Sequence, residues 1–505
     1  MTRLSPCLAL AATLAATGAA AIAAPTFRDA DTRAWWALTT QLSNDSMEGR
    51  DTGSPAYARA ARIVADRFKA AGLQPAGDRG GWFQSVPLHE VRVDSADLTI
   101  AGGDGTRTRL TFLHAFTVRP TDDLAPALDA PLVFRGYCSA KEMDDIRGKA
   151  VVCFGARRQG LPSGGERFKA AVDGGAAALI NIDDTGFTLE PARWPSAYAR
   201  SVTIKGTSAP PASSMPVISL SAPAFIAAAG PDRDPARILA DGAAKRSLPS
   251  FDFSKRITAR FAISKRDYTS DNVLGLLPGA DPSLKPQVVV ISAHLDGYGY
   301  GEPINGDRIY HGTFDDAAYV ATLVRFADKH HGKGLKRSVL VAAFTGEEKG
   351  LLGSTWFVRH PTVPREDLVA DINLDQLRPL FPLKILTIEG LDETTLGRTA
   401  AEIARRRGVE PRKDMEPERN LLHRADNWPF LESGIPSVGF VFGYDPGTKS
   451  ERIYRAWYKD RYHHPMDSLA TPFDPIAARD FNRFFYDLTE TVADAPAKPS
   501  LLPRR

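Results

Sequence analysis

Apolar positions set the rhythm of this chain most clearly between Gln287 and Leu377. Three continuous apolar runs lie there, in VVVISAHLD, VLVAAFTGEE and ADINLDQL. Each is followed at once by ionisable residues: His294 and Asp296 after the first, Glu347 and Glu348 after the second, Asp375 after the third. A run that is apolar on successive positions is what a strand covered on both faces needs, so these read as buried strands of a largely parallel sheet. Between the first two, DDAAYVATLVRFADKHH carries apolar residues at helical spacing behind the pair Asp315 and Asp316. Later come LKILTIEG and PSVGFVFG as strands, TTLGRTAAEIARRRG as a helix, and DPIAARDFNRFFYDLTETVADA as a C-terminal amphipathic helix. RIYRAWYKDRYHHPMDSL reads as a polar loop with aromatics. Strands alternating with helices predict a mixed, largely parallel α/β sheet covered by helices. Open sheets of this kind place ligands outside the carboxyl ends of their strands, which is where the ionisable residues fall.

The first part of the chain has another texture. Trp35, Trp36, Leu38 and Leu42 share a helical face, and Tyr57, Ala61, Val64, Phe68 and Ala71 share a second. That second helix has Ser54 as N-cap, Pro55 at its first position and Gly72 as its stop. Met47 to Gly53 is a Gly-containing loop with a structural rather than catalytic reading. FQSVPLHEVRV, ADLTIAG and LTFLHAFTV alternate and predict antiparallel strands. PLVFRGYC, AVVCFG and ALINIDD add strands around the helix ERFKAAVDGG, and residues 190–250 read as loop-heavy with PVISLS as a strand. Few candidate ligands fall in this region, which therefore reads as an inserted, β-rich module.

Length and composition narrow the picture. At 505 residues the chain is too long for one ordinary core. A net charge of +3 with 24% charged residues gives no reason to expect a nucleic-acid partner. Residues 1–24, with Arg3 ahead of an Ala-rich apolar stretch, read as a secretory signal cleaved near Ala23 or Ala24; the expected location is secreted or periplasmic, with no membrane span in the mature chain. Export leaves Cys138 and Cys153, which are either bridged or two buried thiols. The expected divisions are a signal over 1–24, two segments of the main α/β domain over 25–100 and 268–495, the insertion over 101–267, and a flexible tail over 496–505.

Imidazole and carboxylate are the ligands that borderline divalent metals take. His294, Asp315, Glu348, Asp375 and one of His463 or His464 supply the set that a two-metal hydrolytic site needs, with one carboxylate bridging. A paired Glu347-Glu348 lets one carboxylate bind metal while the other stays free as a base. Asp296, two residues past His294 on an extended chain, points the same way and can accept its second N–H. Each motif alone is weak; the joint order of acidic sites, each behind an apolar strand, carries the weight.

With these motifs in view, SAHLD, IYHGTFDDAA, FTGEEKGLLGS, NLD and YHHPMDS, the chain resembles the M28 family of zinc metallopeptidases, which includes secreted aminopeptidases. RADNWPFLESGIPSVGF and MEGRDTGSPAYARAARIVADRFKAAGL extend the likeness over most of residues 40–80 and 270–485. DDIRGKAVVCFG and FKAAVDGGAAALINIDD resemble a protease-associated (PA) domain, whose usual reading is a lid or substrate-shaping module. The resemblance implies two Zn²⁺ ions: His294 and Asp375 on one, Glu348 and His463 on the other, with Asp315 bridging. It implies Glu347 as the base that takes a proton from the bridging water, Asp296 as the orienter of His294, and Tyr462 as a hydrogen-bond donor to the oxyanion. Alignment on Tyr462 and Pro465 favours His463 over His464. Three departures stand out. Gly297-Tyr298 follows the HxD motif where a polar pair is usual. Asp316-Ala317-Ala318-Tyr319 follows the bridging Asp, and His464 replaces a Thr. The implied function is an exopeptidase removing N-terminal residues from peptide substrates. The rivals are a carboxypeptidase or dipeptidase, for which Arg378 and Arg424 are candidate carboxylate partners, a glutaminyl cyclase, and a non-catalytic receptor. Oligomeric state is not legible.

Overall fold

The computed structural model describes residues 25–156, 158–187, 199–207, 214–230, 233–375 and 377–503. The expected signal over 1–24 and part of the loop-heavy stretch therefore lie outside the described residues.

The apolar runs form the centre of the sheet. Val288–His294 lies between Ser338–Phe344 and Leu368–Asn373, parallel to both, and Leu368–Asn373 is in turn parallel to Ser437–Phe442. Ile385–Glu389 adds antiparallel to Ser437–Phe442, and the end of a long strand, Ser250–Leu277, adds antiparallel to Ser338–Phe344. The fold is thus mixed α/β, with a largely parallel central sheet flanked by helices. Side-chain alternation explains why both faces had to be apolar. Val289, Ile291 and Ala293 face a core built with the helices Ala30–Ser43, Pro55–Ala70, Ala318–His330 and Pro475–Asp494. Val288 and Val290 face a smaller core with Phe357 of helix Leu352–Arg359 and Phe430 of helix Asn427–Glu432. Ser54 caps Pro55–Ala70 by accepting the Tyr57 N–H at 3.0 Å.

A second hydrophobic core gathers Val93, Phe134, Val152, Ile180, Phe225 and Ile257. It is built on strands Ala127–Arg135, Ala150–Gly155, Ala178–Asp183 and Val217–Leu220. Among the described residues no loose linker joins the two units. The sequence predicts separate short strands after Trp82, yet Phe83–Gly102 is one strand of 20 residues. It pairs along Ser250–Leu277, from Phe83↔Val273 to Gly102↔Lys255. The boundaries expected at 100/101 and 267/268 fall inside these two strands. Val93, Leu98 and Ile100 of the first strand and Phe253, Ile257 and Phe261 of the second pack in the second core, whereas Val273 and Leu277 at the far end of the second strand pack in the first, so a change of core need not coincide with a turn.

Other expectations change for local reasons. RIYRAWYKD is not a loop: Lys449–Asp460 is a helix capped by Thr448, with Tyr454, Trp457 and Tyr458 buried on one side. The 190–250 stretch contains a strand, Arg200–Ile204, and two helices, Ala222–Ala229 and Pro235–Ala243. The C-terminal segment is docked rather than free, because Leu501 bridges to Thr394 and Thr395 N–H donates to Ser500 O at 2.9 Å. Cys138 and Cys153 form a disulfide with Cα atoms 5.6 Å apart. Among the described residues no helix is long and apolar enough to cross a membrane.

One buried acid ties the parallel strands together. Asp371 accepts from Ser292 Oγ at 2.7 Å and from Ser437 Oγ at 2.5 Å, on the strands to either side. Burial pushes its carboxyl up to about 8, although both hydroxyls favour the charged form. The unfolded chain, with an Asp pKa of about 3.9, loses a proton that the folded chain keeps, so stability falls as pH rises between these values and levels off above the upper one. Asp371→Asn removes that contribution. Thermal unfolding should show the variant gaining on the parent as pH is raised from about 5 to about 8; parallel pH profiles would refute the assignment.

Candidate metal and catalytic site

The strand ends deliver their residues to one place. His294 closes its strand, Asp375 lies two residues past Asn373, and Glu347 and Glu348 lie just past Phe344. Asp315 comes from the turn Thr313–Ala317 that leads into helix Ala318–His330, where the Asp315–Asp316 peptide bond is cis. His463 comes from the loop after helix Lys449–Asp460.

Asp315 is the centre of the arrangement. Its Oδ1 lies 3.5 Å from His294 Nε2, and its Oδ2 lies 3.3 Å from His463 Nε2. His463 Nε2 is also 3.4 Å from Glu348 Oε2. Donor atoms of His294, Asp315 and Asp375 fall within 4.8 Å of one another, and so do those of Asp315, Glu348 and His463. The two groups share Asp315. His294 Nε2 and Asp315 Oδ2 are buried and make no hydrogen bond, although Asp315 Oδ1 faces the first and His463 Nε2 the second. Such orphaned donors are what an ion-binding site leaves when only protein atoms are counted, and the N/O donor set suits a borderline divalent metal. The structure brings His463, not His464, to these groups; His464 Nδ1 sits 2.7 Å from Tyr462 O instead.

The charges are crowded. Burial, then the neighbouring carboxylates, push Glu347 well above the usual carboxylate range. Burial and Asp315 push Glu348 up to about 8. Asp316 also rises, chiefly through burial. Asp315 goes the other way: burial opposes its charge, but Arg378, His294 and His463 outweigh it and hold it well below the usual range. For His294, burial opposes protonation, yet Glu347 and the aspartates hold the imidazole well above its ordinary value.

Asp296 is placed differently from expectation. His294 Nδ1 lies 3.1 Å from the main-chain oxygen of Asp296 and 3.8 Å from its carboxylate. The carboxylate instead accepts from Glu347 N–H at 3.1 Å and Thr52 Oγ1 at 2.9 Å. Tyr462 is buried beside the site, its ring stacked on His463 with centroids 3.6 Å apart. Tyr319 does not enter the pocket wall: it is buried, and its hydroxyl bonds Leu377 O.

Several supporting residues escaped the sequence reading. Arg50 is fully buried and donates to Leu295 O, His311 O and Gly312 O, each at 2.8 Å, thereby holding the segments beside His294 and Asp315. Asp467, in the YHHPMDS motif, accepts the Phe314 N–H at 3.0 Å, next to Asp315. Arg378 Nη2 stands 3.2 Å from Asp315 Oδ1 as a buried ion pair. Arg50 and Asp467 lie inside recognised motifs and Arg378 beside one, but nothing local in the sequence points to these supporting contacts. Asp426, from RADNWPF, accepts from Ser354 Oγ at 2.5 Å, and burial pushes it up to about 7.

A cavity of about 700 Å³ opens over this cluster. Glu347, Glu348, Tyr298, Tyr462, His463 and Arg424 line its floor, while Arg92, Phe112, Arg119 and Arg200 of the second unit form the facing wall.

Comparison with solved structures reveals the same fold over nearly the whole chain. The aminopeptidase from Aneurinibacillus sp. strain AM-1 superposes with a TM-score of 0.63 at 17% identity, covering 94% of this chain and 96% of that one. BSAP, a zinc aminopeptidase from Bacillus subtilis, gives 0.56 at 18%, covering 92% and 96%. A peptidase M28 precursor from Shewanella amazonensis SB2B gives 0.52 at 16%, covering 94% and 99%. Curated protein sequences give no significant match. Residues 272–489, which carry every candidate ligand, match the family model described as Peptidase family M28.

Proposed function

We propose that the protein is an exported di-zinc aminopeptidase that hydrolyses N-terminal residues from peptides. The observation that carries this reading is Asp315, whose two oxygens each face a different imidazole within overlapping three-ligand groups. In it, His294 and Asp375 would hold one zinc, Glu348 and His463 would hold the other, and Asp315 would serve both. The zinc aminopeptidase among the similar structures supports the choice of metal. Bound zinc supplies Lewis acidity, polarising the scissile carbonyl and making water a better nucleophile.

The chain's own residues do the rest. Glu347, with its side chain nearly buried beside His294, is the general base: its carboxylate takes a proton from the attacking water and returns it to the departing amine. Asp296 holds Glu347 by its N–H and turns its carbonyl to His294, which fixes both the base and a ligand. Tyr462 donates its hydroxyl to the oxyanion. The second unit acts as a PA-type lid: its wall across the cavity confines a peptide end and excludes bulk water. The apolar leader over residues 1–24 and the disulfide suit an oxidising, exported setting.

Arg424 on the cavity floor keeps one rival in play, because a guanidinium suits the terminal carboxylate that a carboxypeptidase must recognise. Aminoacyl-arylamides and N-blocked peptides, tested with chelator and then with zinc restored, decide between them. Zinc-dependent cleavage confined to free-amine substrates is expected, and a preference for N-blocked peptides with a free carboxylate would overturn the proposal.

Two substitutions test the roles. Glu347→Gln should retain zinc and lose about 10²–10⁴-fold in turnover, as expected for removal of a general base; undiminished turnover would sink that role. His463→Ala should lose one zinc equivalent by elemental analysis while His464→Ala keeps both, and the reverse pattern would reassign the ligand.

A further inference from the structure

Tyr298 has no part in the roles above, yet it lines the cavity beside Glu347, Glu348 and His463. Its hydroxyl lies 3.4 Å from Nδ1 of His463, and the two rings pack with centroids 4.7 Å apart. The same hydroxyl faces the Glu348 carboxylate and favours its charged form, and that carboxylate lies 3.4 Å from Nε2 of His463. His463 and Glu348 are the two residues assigned to the second zinc alone.

The directions of these bonds are constrained. An imidazole that offers Nε2 to a metal carries its proton on Nδ1, and that N–H needs an acceptor. The tyrosine oxygen can accept from Nδ1–H while its own O–H donates to the Glu348 carboxylate. Both groups then meet the metal with their lone pairs free. If the hydroxyl donated to Nδ1 instead, the ring would be in the tautomer that cannot ligate through Nε2.

Tyr298 is itself held from two sides. Its main chain follows Gly297, which donates its N–H to Arg50 O at 3.1 Å and bridges to Asp51. Lys349 Nζ sits 4.9 Å from the centre of the Tyr298 ring, and the same ammonium is 3.1 Å from Asp51 Oδ1. Asp51 Oδ2 is bonded at 2.7 Å by Arg200, whose other nitrogen reaches Glu90 at 2.8 Å. Arg200 belongs to a strand paired with Phe83–Gly102 and lines the wall opposite the site. A continuous chain of contacts thus runs from the second unit through Asp51 and Lys349 to Tyr298.

We infer that Tyr298 is a positioning residue that aligns His463 and Glu348 for the second zinc, and that the Arg200–Asp51–Lys349 chain holds it in place. The inference rests on the metal-binding reading proposed above. It also explains the departure at Gly297-Tyr298. The glycine lets the chain run against the Arg50–Asp51 loop, since a Cβ there would lie 2.7 Å from Gly49 O. The tyrosine then reaches across to the last ligand.

The test is zinc affinity rather than turnover. The full chain, stripped of metal, is titrated with Zn²⁺ in competition with a chelator. Tyr298→Phe removes only the hydroxyl; it should weaken the second zinc by about 10–100-fold while leaving the first within about threefold, the usual cost of losing such a partner. A purely structural role would weaken both sites together or lower the unfolding temperature alone, and either result overturns the inference, as does a variant that binds both zincs like the parent. Asp51→Asn keeps the hydroxyl and loosens the tether. It should weaken the second zinc several-fold, and an unchanged second constant overturns the tether. A parent protein that binds no zinc would instead defeat the metal reading itself, and this inference with it.

Discussion

The structure depends on keeping many carboxylates together, out of water, at one edge of a sheet. Asp296, Asp315, Asp316 and Asp375 are all buried there, with the side chains of Glu347 and Glu348 nearly so. Two like charges about 4 Å apart repel by roughly 4 kcal/mol at an effective dielectric near 20. Arg378, His294 and His463 are the cations facing Asp315, and they suffice to keep that one carboxyl ionised. They do not suffice for Glu347, Glu348 and Asp316, which are pushed towards protonation. The polypeptide has therefore assembled a site with a deficit of positive charge. Divalent cations at the shared groups would remove that deficit, and this links the electrostatics of the fold to the proposed chemistry.

Much of this was legible in the sequence because it is local. A buried parallel strand must be apolar on successive residues, and its ligands must follow its last apolar position. VVVISAHLD, VLVAAFTGEE and ADINLDQL satisfy both conditions within one short window each. The helix Pro55–Ala70 was legible for the same reason, since its cap, its first-turn proline and its stop are all adjacent. Helix Lys449–Asp460 was not, because charged residues dominate it and its buried side is aromatic and narrow. The long strand Phe83–Gly102 was missed because it serves two cores in succession, so its apolar pattern changes partway without a turn.

The site's supports were harder to read than its ligands. Arg50 acts on Leu295, a contact across 245 positions, and nothing in MEGRDTGS reveals that its arginine will be fully buried. Asp467 sits inside a recognised motif, but its bond to Phe314 N–H spans 153 positions. A sequence can show which residue types could bind a metal, whereas the groups that fix their geometry are chosen by long-range packing. Asp296 illustrates the limit: the period of an extended chain placed it beside His294, yet its carboxylate turned to Thr52 and Glu347 and left its carbonyl facing the ring.

The adjacent glutamates are where local and long-range effects meet. Glu347 and Glu348 are consecutive in the turn after Phe344, so their side chains cannot leave the chain in the same direction. Glu347 Oε2 lies 4.0 Å from His294 Nε2, and its main chain is pinned by Asp296. Glu348 Oε2 lies 3.4 Å from His463 Nε2, and the hydroxyl of Tyr298 favours its charged form. One glutamate is thus tied to the first imidazole through the strand end, and the other to the second imidazole through a tyrosine from a neighbouring turn. In the proposed reaction a ligand must be fixed by partners that favour its charged form, as Tyr298 does for Glu348. A base must stand beside the ligands with its carboxylate free to hold a proton between two steps, and Glu347 stands there next to His294. The division of labour follows from which imidazole each carboxylate lies nearest, since His294 stands within 4.8 Å of both glutamates.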